Sequence, residues 1–331
     1  MLKSHIYAVG SELAKNAVLT RDILAEAKLE DIDLVEKSLG IIEVRQAPIS
    51  MQPSELAIPA AERALFESGL SYHEIDAVIY CGIERDCPEP ATAHIISSVL
   101  GLTPTICFDI SNACHGFTSG LQVANSFIRS GDIQHALIVT AELSSKVTHK
   151  VVDMFKSGEL EPEDIKTHIG AFTVGDAAGA MVLGPSEGEQ GINQIRCGSV
   201  SRHHGLCSYN YNELGNLSFN MDMGRISAVT LRLVKDLIGP TYKDLDWCAE
   251  DVDLFIPHQV GERPFMKSLE IVGIDKDKSI ATYPMLGNLA SATIPVCYDM
   301  MKKQGRLLPG SKMLMGTTGS GIVASFVGLS L

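Results

Sequence analysis

Two hydrophobic periods alternate along the middle of the chain. Residues 53–68 and 91–100 place apolar side chains at helical spacing, whereas residues 75–81 (IDAVIYC) form a short unbroken apolar run, so helices and strands should follow one another. Residues 107–110 predict a brief strand, and 116–129 predict a helix with Phe117, Leu121, Ala124, Phe127 and Ile128 on its apolar stripe. Residues 134–141 (QHALIVTA) lack polar alternation and predict a strand covered on both faces. The segment 172–185 (FTVGDAAGAMVLGP) reads as two strands about a tight Gly-Asp turn, and 220–238 as a single long helix.

The C-terminal part repeats this order. Residues 252–256 (VDLFI) match the IDAVIY run, a helix follows from Arg263, another spans about 290–304, and 312–316 (KMLMG) matches ALIVT. The pattern predicts a layered α/β protein of two similar halves, residues 1–185 and 186–331. In this register Cys114 and Asn288 fall at equivalent places, each just ahead of a helix, and a twofold arrangement brings both to one central site.

Composition narrows the functional classes. With 331 residues and 45% hydrophobic side chains, the chain has enough apolar mass for one large domain or two fused halves, and no low-complexity linker divides it. A formal net charge of −13 repels a phosphate backbone, and no basic run with interleaved aromatics reverses that field, which argues against nucleic acid as a partner. The eight cysteines are singletons without CxxC spacing; they read as reduced thiols of a cytoplasmic protein, and nothing suggests a metal site. No apolar stretch approaches the roughly 20 residues of a membrane span.

Three side chains stand out as candidate chemistry. Cys114, in SNACHGF, precedes the 116–129 helix, where free backbone N–H groups favour a thiolate and the small residues Ala113 and Gly116 leave room for a substrate. His258, in FIPHQVGER, follows the 252–256 strand, with Pro257 stopping the strand so that the imidazole sits at its C-terminal edge, where α/β sheets present catalytic groups. Asn288, in PMLGNLASATIP, is flanked by Gly287 and small residues. The glycine-rich turn GTTGSGIVASF after Gly316 offers backbone N–H groups for an oxyanion, but it lacks the features of a nucleotide-binding fingerprint.

Taken together, Cys114 before its small-residue helix, the PHQ strand end, the GN turn, the late GSG turn, VGDAAGAMVL at 174–183 and SATIPVCYDMMKKQGRLLPGSKMLM resemble beta-ketoacyl-acyl carrier protein synthase III and its relatives. The resemblance implies a thiolase-like αβαβα fold, a homodimer and an acyltransferase that performs Claisen condensation. Cys114 would carry the acyl group. His258 Nε2 and the Asn288 amide would donate to the carbonyl oxygen of a second thioester, and the N–H groups of Cys114 and the Ser320 turn would hold the new oxyanion. Acyl-CoA or a phosphopantetheine thioester would be the substrate, with no tightly bound cofactor. Arg263 and Lys267 would form a docking patch for acyl carrier protein.

Two departures qualify the resemblance. The stretch that clasps the coenzyme A adenine in the priming synthases, here LVEKSLGIIEVR, offers Leu34 and Ser38 in place of a tryptophan and an arginine. Where those enzymes close the partner's acyl pocket with a phenylalanine, this chain has Glu89 in RDCPEPATA. A glutamate there is similar to the head-to-head condensing enzymes of long-chain olefin synthesis, in which it reaches across the dimer as the α-proton base; dialkylresorcinol ketosynthases are further relatives. Acyl transfer to oxygen or nitrogen by the same cysteine is one further alternative, and a non-catalytic partner subunit is another, against which the presence of Cys114, His258 and Asn288 together argues.

Overall fold

An apolar run with no polar alternation has to be covered on both faces, and the Ala136–Glu142 strand is buried at every position. In the computed structural model, which describes residues 3–104, 106–186, 188–211 and 217–331, this strand is the middle of a five-stranded sheet. The order is Lys3–Leu13, Ala177–Ser186, Ala136–Glu142, Ala77–Tyr80, Ile106–Asp109. The last three run parallel, and Ala177–Ser186 pairs antiparallel with both of its neighbours. A four-stranded sheet repeats the plan in the order Leu254–Pro257, Lys312–Gly319, Val323–Ser330, Gly191–Ser199. Even the register agrees, since Leu254 faces Met313 in parallel as Ala77 faces Ala136. The edge strand Ile106–Asp109 has a one-residue counterpart, the parallel bridge between Phe255 and Ser279.

The core is divided by these sheets into three apolar layers. Leu137, Val139 and Ala141 point to one face of the first sheet, where they meet Ala57, Ala61, Leu65 and Ile96 of the helices Pro53–Ser68 and Thr92–Val99. Ala136 and Ile138 point to the other face, joining Phe117, Leu121 and Ile128 of the Gly116–Ser130 helix and Cys297 and Met301 of the Thr293–Lys303 helix, along with Met313 and Met315 of the second sheet. Leu314, Phe255 and Phe326 look outward from that second sheet to Val234 and Ile238 of the Met223–Leu245 helix and Phe265 and Leu269 of Glu262–Val272. The result is a five-layered αβαβα stack with two helices buried between the sheets, an arrangement in which each half covers a face that the other exposes.

The central helix starts where it does because of a steric demand. A Cβ on Gly116 would lie 2.2 Å from the carbonyl oxygen of Cys81, so only glycine lets the helix meet the end of the Ala77–Tyr80 strand. Its stripe of Phe117, Leu121, Ala124 and Ile128 is buried, and Gly131 in the left-handed conformation ends it.

The structure departs from the sequence expectation in three places. Residues 172–185 contain one strand, Ala177–Ser186, preceded by a 3-10 turn at Ile169–Phe172; Val174 bridges Asn288 instead of entering a sheet, so the expected first strand is diverted into a tertiary contact. Residues 220–238 divide into the end of a Leu217–Met221 strand and the start of the Met223–Leu245 helix, because the Asp222 carboxylate accepts the backbone N–H of Arg225 at 3.0 Å and caps the helix there. Finally, Cys114 and Asn288 are not equivalent. The matching turns are Ala113–His115 and Ala290–Ala292, each opened by an alanine with positive φ (47° and 45°) and each leading into a central helix. Ser291 therefore occupies the place of Cys114.

Candidate active site

Cys114 lies in the 3-10 turn Ala113–His115, two residues ahead of the start of the Gly116–Ser130 helix. It lines a cavity of about 110 Å³ that also takes in His258 and Asn288. Each of the three comes from a different junction: a strand-to-helix turn, the residue after the Leu254–Pro257 strand, and the bend at Gly287. That bend needs glycine, which has φ +66° and a virtual Cβ 2.3 Å from the carbonyl oxygen of Thr173. The Asn288 N–H then donates to the same Thr173 carbonyl at 2.7 Å, and its own carbonyl accepts from Gly175 at 3.1 Å.

The hydrogen bonds assign roles to the polar atoms. Asn288 Oδ1 accepts the Ala290 N–H at 2.9 Å, which leaves Nδ2 to donate. The Thr293 hydroxyl gives its single proton to the Ala290 carbonyl at 2.9 Å, so in its 3.2 Å contact with His258 Nδ1 it must accept. The proton of the neutral ring is thereby fixed on Nδ1, and Nε2 carries a lone pair. Burial, with a smaller contribution from neighbouring His115, lowers the His258 pKa to about 4, which keeps the ring neutral at physiological pH. The resemblance implies that Nε2 donates to the second thioester, whereas in the resting network its lone pair is free to accept.

Cys114 also differs from expectation. The helix terminus was expected to favour a thiolate, yet burial pushes the thiol well above its ordinary range, the Glu142 carboxylate and Cys207 add to the shift, and the local backbone N–H opposes it only in part. The thiol is protonated at rest, and His258 lines the same cavity. His115, next in sequence, is buried with Nδ1 2.9 Å from the Ser119 hydroxyl and Nε2 2.7 Å from that of Ser325. It braces the turn.

The remaining candidates are distributed as follows. Gly319 and Ser320 line the cavity, and Gly319 packs so closely on Cys114's turn that a Cβ would sit 3.0 Å from the His115 nitrogen. Arg263 and Lys267 are exposed on the outer face of the Glu262–Val272 helix, whose inner residues Pro264, Ser268 and Val272 line the cavity. Lys267 is paired with Glu270 at 2.6 Å. Glu89 is exposed and does not reach the cavity of its own chain. The rest of the wall is largely apolar, including Met221, Met223, Ile226, Leu231, Val234, Phe255 and Val260.

Three residues of the site were absent from the sequence reading. Thr293 and Cys207 carried no signal, because only tertiary folding brings Thr293 to His258 and Cys207 to the cavity. Glu142 had one: a carboxylate closing an otherwise apolar strand has to find buried partners. Among the described residues no cluster of His, Cys, Asp or Glu is arranged to hold a metal, and no helix is long and apolar enough to cross a membrane.

A five-layered doubled α/β fold with a thiol, an imidazole and a carboxamide on one apolar cavity defines a condensing enzyme of the thiolase-like class. Comparison with known proteins agrees. The model of 3-oxoacyl-[acyl-carrier-protein (ACP)] synthase III matches residues 108–201, and that of its C-terminal region matches 243–329. The chain is 32% identical over 305 residues to the acyl-CoA:acyl-CoA alkyltransferase of Shewanella oneidensis, covering 88% of this chain and 86% of that protein. It is 29% identical over 332 residues to beta-ketoacyl-[acyl-carrier-protein] synthase III 3 of Streptomyces coelicolor, covering 96% and 94%. Among solved structures, a cysteine-to-serine variant of Xanthomonas campestris OleA with bound lauric acid and lauroyl-CoA matches with a TM-score of 0.92 at 25% identity over 99% of both chains. The chain belongs to the 3-oxoacyl-[acyl-carrier-protein] synthase III family and is an acyl-transferring enzyme.

Proposed function

We propose that Cys114 takes an acyl group from a thioester and that this group is joined to the α-carbon of a second acyl thioester, giving a β-ketoacyl product. The observation that carries the reading is the complementary set on one cavity wall: a protonated thiol, an imidazole nitrogen with a free lone pair and a carboxamide N–H. His258 Nε2 takes the Cys114 proton as sulfur attacks the first thioester, and the departing thiolate leaves an acyl-enzyme. Nε2–H and Asn288 Nδ2–H then donate to the oxygen of the second thioester and stabilise its enolate. The enolate carbon attacks the acyl-cysteine. The tetrahedral oxyanion is held by backbone N–H groups of Cys114 and the Ser320 turn; its collapse expels the Cys114 thiolate, which recovers its proton from His258.

Within this reaction the head-to-head variant has specific support. Its second substrate is a plain acyl thioester, and it needs a base. Apolar walls beside Cys114 suit an alkyl chain better than the amides of a pantetheine arm, and relatives from Shewanella oneidensis and Xanthomonas campestris are named acyl-CoA:acyl-CoA alkyltransferases. Glu89 supplies the base in a homodimer. Its loop is tied to the open edge of the first sheet, with Arg85 3.2 Å from Asp109 of the Ile106–Asp109 strand, so pairing that edge with a second copy carries Glu89 to the partner. Decarboxylative extension of a malonyl thioester, the reaction suggested by the family's own description, is the second reading. Arg263, exposed on the helix whose inner residues line the cavity, is the candidate contact for a carrier protein, with Lys267 held by Glu270 until it docks.

Mass spectrometry of the product distinguishes them. Condensed product from acyl-CoA alone, lost in Glu89→Ala while the Cys114 adduct persists, is the result expected; a requirement for a malonyl donor with release of CO2, unchanged in that variant, would establish the second reading. Absence of any acyl adduct on Cys114 would defeat both.

A further inference from the structure

Two of the eight cysteines share the catalytic cavity. Cys207 begins the Cys207–Tyr211 strand, pairs across the hairpin with Met221, and like Met221 lines the cavity that holds Cys114. Ser320, of the turn beside Cys114, lines the same cavity, and its hydroxyl favours the Cys207 thiolate against the larger effect of burial. An ionised Cys207 opposes ionisation of Cys114. None of the other six cysteines lines this cavity; Cys81 and Cys297 are buried in the layer between the sheets. The condensation described above gives Cys207 no part.

We propose that Cys207 is a resolving thiol for Cys114, so that a small oxidant of the hydroperoxide class converts the pair to a Cys114–Cys207 disulfide that withholds the nucleophile until it is reduced. The inference rests on the reading of Cys114 as the acylated nucleophile. In the first step the Cys114 sulfur, its proton passing to His258 Nε2, attacks one peroxide oxygen. The O–O bond breaks, Cys114 becomes a sulfenic acid, and the hydroxide released takes the proton back from His258 and leaves as water. In the second step the Cys207 sulfur attacks the sulfenic sulfur, an S–S bond forms, and the hydroxyl leaves with the Cys207 proton as a second water. The two thiols lose two electrons in total and the hydroperoxide gains them.

The geometry favours this outcome over irreversible oxidation. Cys114 faces a cavity open to small molecules and lies in a protein without disulfides, so a sulfenic acid there persists until it meets either a thiol or more oxidant. Cys207 supplies the thiol from the lining of the same cavity, and Ser320 favours its thiolate. Burial raises both thiols above their ordinary range, so the reaction should quicken as pH rises.

The test uses the full chain. Untreated protein is first given acyl-CoA, and the adduct on Cys114 is confirmed by intact mass. Reduced protein is then titrated with hydrogen peroxide, quenched and mapped without reductant. The expected result is a cross-linked pair of peptides carrying Cys114 and Cys207, a mass lower by about 2 Da, and recovery of adduct formation with dithiothreitol. Cys207→Ser, and Cys207→Ala should the first variant not fold, are expected to pass instead to a Cys114 sulfinic acid that dithiothreitol does not rescue. Wild-type protein whose Cys114 reaches the sulfinic acid while Cys207 stays alkylatable would overturn the proposal. If acyl-CoA leaves no adduct on untreated Cys114, it is the nucleophile reading that fails.

Discussion

Glu142 offers the sharpest test of how the site is wired. It ends the Ala136–Glu142 strand fully buried; its Oε1 accepts the N–H groups of Ile83 and Ser291, each at 3.3 Å, and the Ser291 hydroxyl, while Oε2 has no hydrogen-bond partner among the described residues. Burial raises its pKa from 4.5 to about 8 in spite of those donors. A carboxyl whose folded pKa lies above its unfolded one favours the native state at low pH. That advantage drains away as pH rises from about 4.5 to about 8, with a limiting slope of about 1.4 kcal/mol per pH unit. At pH 7 the unfolded chain has gained about two and a half units at about 1.36 kcal/mol each, so the group costs the native state roughly 3 kcal/mol. Glu142→Gln keeps an oxygen for the same donors and removes the charge. Expected is a gain of about 1–3 kcal/mol near neutral pH, seen as a rise in Tm of roughly 2–6 °C, shrinking toward zero near pH 5. Thermal or urea unfolding across that range reads it directly. Because the carboxylate also opposes the Cys114 thiolate, iodoacetamide should alkylate Cys114 faster in the variant above neutral pH. Parallel stability-versus-pH curves for the two proteins would refute the reasoning.

Other consequences follow from the same geometry. Thr293→Val leaves the His258 Nδ1–H buried without an acceptor, a loss of about 1–3 kcal/mol that pushes the ring to the wrong tautomer, so acylation of Cys114 by acyl-CoA should slow roughly 5- to 150-fold while Thr293→Ser stays near wild type; rapid-quench intact mass measures it. Asn288→Asp puts a negative charge where the enolate oxygen should sit, and product formation should fall by about 100- to 1,000-fold with the Cys114 adduct retained. If apolar walls hold the alkyl chain, each added methylene should lower KM by roughly fourfold, about 0.8 kcal/mol, until the cavity is full; a KM indifferent to chain length across a panel of acyl-CoA substrates would count against that placement.

The layered plan was readable because each central strand shows in sequence as an unbroken apolar run, and each buried helix as a stripe at helical spacing. Phe117, Leu121, Ala124 and Ile128 are buried where the stripe put them, and Phe127 is half-buried. Less visible were segments whose conformation is decided by one polar contact or one steric conflict. Asp222 cuts a continuous amphipathic pattern by capping a helix, and Val174 leaves a strand-like run to bridge Asn288. Among the candidate site residues, Cys114, His258 and Asn288 stood out because each sits at a junction marked by small residues or proline. The direction of hydrogen bonding at His258 did not stand out, because it depends on where a threonine hydroxyl 35 residues away sends its proton.

The doubled fold poses a last question: why one half carries a reactive turn and the other does not. Ser291 stands in the second half where Cys114 stands in the first, in a turn opened by the same left-handed alanine. The difference lies in what each side chain faces. Cys114 opens onto the cavity, whereas Ser291 is fully buried, donates its hydroxyl proton to Glu142 and accepts one from Thr140. A nucleophile there would have neither a path for substrate nor a base free of a competing carboxylate. Ser291→Cys in a Cys114→Ser background should therefore remain unacylated by acyl-CoA in intact-mass analysis, and should lose about 1–3 kcal/mol of stability as Glu142 gives up a hydroxyl donor. An acyl adduct on that new thiol would show that the turn itself makes a nucleophile; its absence in a folded variant places the selection in access to the cavity and in the buried Glu142 carboxylate.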